Sequence, residues 1–227
     1  MRNRKDDSRK AQRLAHERGQ RREAIVSIAR GVFADQGYDQ AMIDKIAHEA
    51  GYTKVTIYNY FESKEDLFIA VVSDAYRKLF ETMDNHLKQD NVVFELRSMG
   101  DAYLNFFVKY PEEAILFESG RLGIAISKIL KKEEAGEKLT ESEKEFRQYM
   151  GEIEKLMTSV ITETMKASGV QDKVEPFSVI MVLSTFAQTI RELVLRGKRS
   201  DRPEETTREY LSVFFNIIDQ GLKHYEG

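Results

Sequence analysis

The side chains best placed to do chemistry lie between Met42 and Lys64, in MIDKIAHEAGYTKVTIYNYFESK, and they suit recognition rather than bond-making. Lys54, Thr56 and Asn59, with Tyr58 and Tyr60, put an ammonium, hydroxyls and an amide on one short stretch. Such groups hydrogen-bond to phosphates and base edges. Bond-making constellations are thin. His16, His48, His86 and His224 are scattered, none stands at metal-ligand spacing from another, and there is no cysteine. Gly120-Arg-Leu-Gly123 lacks the lysine and the strand of a phosphate loop, and no nucleophile elbow is present. The many carboxylates fall on amphipathic helices, where they are solvated faces. The expectation is a protein that is not an enzyme and needs no catalytic residue, metal or cofactor.

Two short helices joined by a tight turn would hold the recognition groups. Asp44 to Ala50 carries Ile46, Ala47 and Ala50 on one face, and Gly51 stops that helix at low steric cost. Thr53 caps the next helix, in which Val55, Ile57, Tyr58 and Phe61 recur at helical spacings. Small Ala47, turning Gly51 and aliphatic Ile57 fit a helix-turn-helix over residues 42–61. An ordinary helical hairpin in an all-helical core is the alternative for that spacing taken alone. Ser63 and Asp66 then open a further helix at once.

With the GQRREAIVSIARGVFADQGYDQ that precedes it, this segment resembles the DNA-binding domain of the tetracycline-repressor (TetR) family of bacterial regulators. The resemblance rests on Ala29, Val32, Phe33, Gly37 and Tyr38, then Asp44, Ile46, Ala47, Ala50 and Gly51. It continues through Lys54, Thr56, Ile57, Tyr58, Tyr60 and Phe61 to Ser63-Lys64-Glu65-Asp66-Leu67. It implies an all-α fold, with an N-terminal three-helix helix-turn-helix DNA-binding domain followed by a helical ligand-binding and dimerisation domain. The expected divisions are a basic arm over 1–18, the DNA-binding domain over 19–79 and the body over 80–227. DNA contacts are expected at Met42, Thr53, Lys54, Val55, Thr56, Tyr58, Asn59, Tyr60 and Lys64. Family members commonly have a capping Thr where this chain has Met42, and a small residue where it has Val55.

Composition agrees. With 227 residues, three prolines and no tryptophan, the chain favours helices and is long enough to bury a substantial core. No segment is expected to cross a bilayer or act as a secretory signal, and the lack of cysteine suits a reducing cytoplasm. The net charge of −3 hides an uneven spread: Met1 to Arg22 holds nine basic against three acidic residues, +6, leaving −9 for the rest. A basic head on an acidic body presents one end to phosphate. The arm reads either as a solvated tail or as an extension of the first helix.

Further helices are expected over 64–88 and 92–110, and then two short ones split by Gly120 and Gly123. The capping box Thr140-x-x-Glu143 opens the next helix, and Pro176 and Pro203 open the last two. In the final helix Leu211, Phe215, Ile218 and Leu222 make one apolar stripe, while Tyr210, Val213, Phe214 and Ile217 make another. Two stripes imply burial on two sides. Phe177, Met181 and Ser184 with Tyr210, Val213, Phe214 and Ile217 are therefore expected to pair with a second copy of the chain. Burial inside the chain's own body is the alternative.

The middle helices hold Phe94, Met99, Tyr103, Phe106, Phe107, Phe117, Met157 and Met165. These are core, or the walls of an adaptable apolar cavity; the resemblance implies an effector pocket. The expected function is a homodimeric cytoplasmic repressor that leaves a palindromic DNA operator when an apolar small molecule binds. The competing expectation is a DNA-bound factor of similar fold that docks a protein partner, as nucleoid-occlusion factors do.

Overall fold

Local signals set most of the helix boundaries. The computed structural model describes residues 4–89, 96–197 and 203–224, and these form ten helices and no strand. They are α1 (Arg4–Gln40), α2 (Ile43–Glu49), α3 (Lys54–Tyr58), α4 (Lys64–Gln89) and α5 (Leu96–Lys109). Then come α6 (Pro111–Phe117), α7 (Gly120–Glu134), α8 (Glu141–Ala167), α9 (Pro176–Gly197) and α10 (Pro203–Lys223). Thr140 and Glu143 form the reciprocal capping box that starts α8. Pro111, Pro176 and Pro203 each occupy a first helical position, where the missing N–H costs nothing.

Of the two readings left open for the arm the helical extension holds, and one boundary departs from expectation. The basic residues ahead of the helix-turn-helix belong to α1, which runs from Arg4 to its kink at Gly37, where φ is +73°. The break after α6 falls at Glu118 and Ser119, with the Ser119 hydroxyl accepting from the Arg121 N–H, and Gly120 and Gly123 both lie inside α7. α9 also corrects the reading that no segment suits a bilayer. By length and composition alone, Pro176–Arg196 is apolar enough to span one. It is instead packed on the body through Val179, Leu183, Ile190 and Val194, with Arg191 ion-paired inside.

Two apolar cores meet along α4. The first joins Ile25, Ala29 and Phe33 of α1 to Ile46, Ala47, Ile57 and Phe61, and to Leu67, Phe68 and Val72 of α4. Leu122 and Ile129 of α7 and Phe146 of α8 close it from the other side. The second starts at Leu79 and Met83 of α4 and takes in Phe106, Phe107, Val160, Ile161, Met165, Leu211 and Phe215. One 26-residue helix thus belongs to both cores.

Candidate nucleic-acid interface and internal cavity

Gly51 adopts φ +72°, a conformation open to glycine at little cost, and so turns the chain from α2 into α3. The Tyr52 N–H donates to the Ala47 carbonyl at 2.8 Å, and Thr53 caps α3 by accepting from the Thr56 N–H at 3.2 Å. Ile57 is wholly buried against the first core. With that face sealed, Lys54, Val55, Tyr58 and Asn59 point to solvent, and Val55 is 71% exposed. Thr53 is exposed beside them, while Thr56 and Tyr60 are half-buried. Met42, the residue before α2, is 62% exposed and makes no side-chain cap, as its thioether predicts.

Electrostatics fix these groups further. Lys54 Nζ lies 2.9 Å from the Asp44 carboxylate, whose hydrogen bond and charge raise the lysine above its ordinary value. Lys64 donates to the Asp39 carbonyl at 3.1 Å and sits 4.6 Å from the centroid of Tyr38, and burial lowers its affinity for a proton. Arg18, counted in the sequence only among the basic residues of the arm, covers the Tyr60 ring at 4.7 Å and donates to the Asn59 carbonyl at 3.0 Å. No group of three His, Cys, Asp or Glu among the described residues could hold a metal ion.

The body contains an apolar cavity of about 290 Å³. Of the residues expected to line it, Met99, Tyr103, Phe117 and Met157 do so. Phe106, Phe107 and Met165 do not; they are packed into the second core without reaching the void, and Phe94 lies outside the described residues. The walls also include Tyr76, Met83, Ile153, Phe186 and Phe215, none of which the sequence marked out for a cavity. Among the described residues its one charged lining residue is Arg191, whose position inside an apolar run was the available signal. Arg191 Nε donates to Glu118 at 2.5 Å and its Nη1 donates to the Tyr103 hydroxyl. Burial pushes the Tyr103 hydroxyl up to about 12 against the pull of Arg191, so it stays protonated.

α6 links the cavity to α1, which packs against the helix-turn-helix. At one end of α6 Phe117 lines the cavity, and the capping residue Glu118 holds the cavity-lining Arg191. At the other end Glu113, with no exposed surface, lies 3.0 Å from Arg30 Nε of α1 and 3.6 Å from Lys78 Nζ of α4. Neither carboxylate oxygen has an aligned hydrogen bond, and burial pushes the group up to about 7 despite Arg30 and Lys78. Arg30 also pairs with Asp74, which Arg77 and Lys78 contact as well. Burial would raise Asp74, but hydrogen bonds from Arg77 and Lys78 outweigh it and hold that carboxyl below its usual range.

The outer faces of α9 and α10 carry Phe177, Met181, Tyr210, Val213 and Ile217, all more than half exposed. Phe214 is half-buried, stacked on Phe186 at 3.4 Å. The Ser184 hydroxyl bonds within its own helix to the Ile180 carbonyl, and the residue borders the cavity.

Residues 25–71 match the sequence model described as bacterial regulatory proteins, tetR family. The fatty acid metabolism regulator protein of Bacillus subtilis (strain 168) is 25% identical over 182 residues, 78% of this chain and 85% of that protein. The fatty acid degradation regulator FadR from Bacillus halodurans superposes with a TM-score of 0.64 at 18% identity, covering 90% of this chain and 95% of that one. FadR from Bacillus subtilis in complex with stearoyl-CoA gives a TM-score of 0.55 at 19% identity, covering 89% and 97%. At these identities the two structures establish likeness of fold.

Proposed function

The chain belongs to the TetR family of bacterial DNA-binding transcriptional regulators, and from that premise we propose that it is a homodimeric repressor released from a palindromic operator by a long-chain aliphatic effector. In this reading residues 19–79 bind DNA, and residues 80–227 take up the effector and pair with a second copy. Lys54, Val55, Thr56, Tyr58, Asn59 and Tyr60 meet the major groove. Thr53, Met42 and Lys64 flank them towards the phosphates. Two such heads bind half-sites about 34–36 Å apart or wider, on the nucleoid in the cytoplasm.

The observation that carries the effector is the placement of α6, with cavity-lining Phe117 at one end and Glu113 beside Arg30 of α1 at the other. A ligand that displaces Phe117 or competes with Glu118 for Arg191 shifts α6 and with it α1. The two heads then lose the operator spacing. Only differential affinity for the two arrangements is needed. The apolar lining favours an alkyl chain, and the stearoyl-CoA complex of Bacillus subtilis FadR makes a long acyl thioester the first ligand to test. A factor acting solely through a protein partner would have no use for this cavity.

The test is titration of stearoyl-CoA and shorter acyl-CoAs into the complex of the full protein with an operator selected from random duplexes. Release of DNA at saturating ligand is expected, with Phe117→Ala altering the ligand dependence. Ligand binding without any change in DNA affinity would overturn the effector-released mechanism.

A further inference from the structure

The first helix begins well before the domain it serves. Among the described side chains of α1 the first buried one is Ile25, and none from Arg9 to Ala24 is buried, yet the helix is continuous through this stretch. Within residues 9–22 stand six basic side chains and a single acidic one, Glu17. Arg18 and Arg22 turn towards the helix-turn-helix, contacting Tyr60 and Asn59 in one case and Phe61 and Glu145 in the other. At about 3.6 residues per turn, Arg9, Lys10 and Arg13 share a side of the helix centred well away from Ile25, whereas Arg21, one turn before Ile25, lies at its edge. Arg13 pairs loosely with Glu17 at 3.6 Å, and among the described residues Arg9, Lys10 and Arg21 make no ion pair.

We propose that this basic helix is a second DNA-contacting element, laid along the phosphates that flank each half-site outside the base pairs read by α3. The proposal rests on the DNA-binding reading above. Arg18 anchors α1 beside Asn59 and Tyr60, at the C-terminal end of the recognition helix. From there back to Arg9 the helix reaches about 14 Å further at about 1.5 Å per residue. That length spans roughly four base pairs at about 3.4 Å each. Net positive charge on one side complements a duplex backbone. A helix about 10–12 Å across cannot enter a minor groove about 6 Å wide, so the contact is with phosphate and carries no base preference.

The triple variant Arg9→Ala, Lys10→Ala, Arg13→Ala tests this, because alanine preserves the helix and every contact to the helix-turn-helix remains. Full-length protein and variant are compared on a selected operator trimmed to its half-sites, and on the same operator with about ten added base pairs of arbitrary sequence at each end, roughly one helical turn. The wild type is expected to gain at least about tenfold in affinity from the flanks, and the variant little. On the flanked duplex the log–log salt slope should fall by about three units per protomer, while on the trimmed duplex the two proteins bind alike. An equal gain in both proteins, or none in the wild type, overturns the proposal. So does a flank gain that depends on base sequence. Failure of the wild type to bind either duplex would overturn the operator-binding reading itself.

Discussion

A β-carbon on Gly100 would lie 2.1 Å from Cε2 and 2.3 Å from Cζ of Phe215. The ring of Phe215, on α10, thus fills the space that any side chain at this point of α5 would need. Both residues border the cavity, so the helix with an exposed apolar outer face also supplies part of the cavity wall.

Gly100→Ala should therefore act on the cavity more than on the fold. Alanine favours the helix by roughly 0.5–1 kcal/mol, which partly offsets the clash. The Phe215 ring has to move, and the open space beside it is the cavity. Affinity for an acyl ligand measured by calorimetry should fall by about tenfold or more, with DNA binding in the absence of ligand retained. Unchanged ligand affinity would show that the ring can move elsewhere.

Substitutions on α3 should separate reading from folding. Lys54→Ala and Tyr58→Ala remove exposed side chains, and the Lys54–Asp44 pair lies on the surface, where such pairs add little stability. Each variant is expected to lose specific operator affinity by about 1–3 kcal/mol or more while keeping its melting temperature and oligomeric state. Lys64→Ala should weaken binding to all duplexes alike and lower the salt slope by about one unit. Operator affinity retained in both α3 variants would remove α3 from the interface.

Pairing through α9 and α10 is best tested at Ile217 and Met181, which are 64% and 52% exposed. Ile217→Glu or Met181→Glu should give folded monomers by sedimentation, with weak operator binding. Phe214 is a poorer choice because its stack on Phe186 would be lost as well. If both variants still sediment as dimers, the two copies meet through another surface.

Glu113 should make stability depend on pH in a defined window. Its folded value near 7 stands above the ordinary 4.5, so the folded chain holds this proton more tightly than the unfolded one. The stabilisation is fully present below about 4.5 and is lost as pH rises through about 7, a span of roughly 3 kcal/mol at most. Asp74 works in the opposite sense: its lowered value adds stability above its ordinary 3.8, which is lost as pH falls through its folded value. Glu113→Gln should flatten the fall in melting temperature between pH 4.5 and 7, relative to wild type. Parallel curves for the two proteins would mean that Glu113 stays ionised throughout.

Local signals in the sequence determined the helices and the reading head. Gly51, the Thr53 cap, the Thr140–Glu143 box and the prolines at 111, 176 and 203 act within a few residues of themselves, and the structure shows each at a boundary. Periodicity likewise placed Ile57 inside, and so left Lys54 and Tyr58 outside. The tertiary structure decided what periodicity cannot carry. Met99 and Tyr103 reach the cavity while Phe106 and Phe107, three and four residues further along the same helix, fill solid core. An apolar face specifies burial, but whether the facing helices close on it or leave a void depends on how they cross. The partnership of Arg191 with Glu118, and of Glu113 with Arg30, joins residues 73 and 83 positions apart. Nothing local to either member encodes the other, because the pairs exist only once α6 lies between α1 and α9.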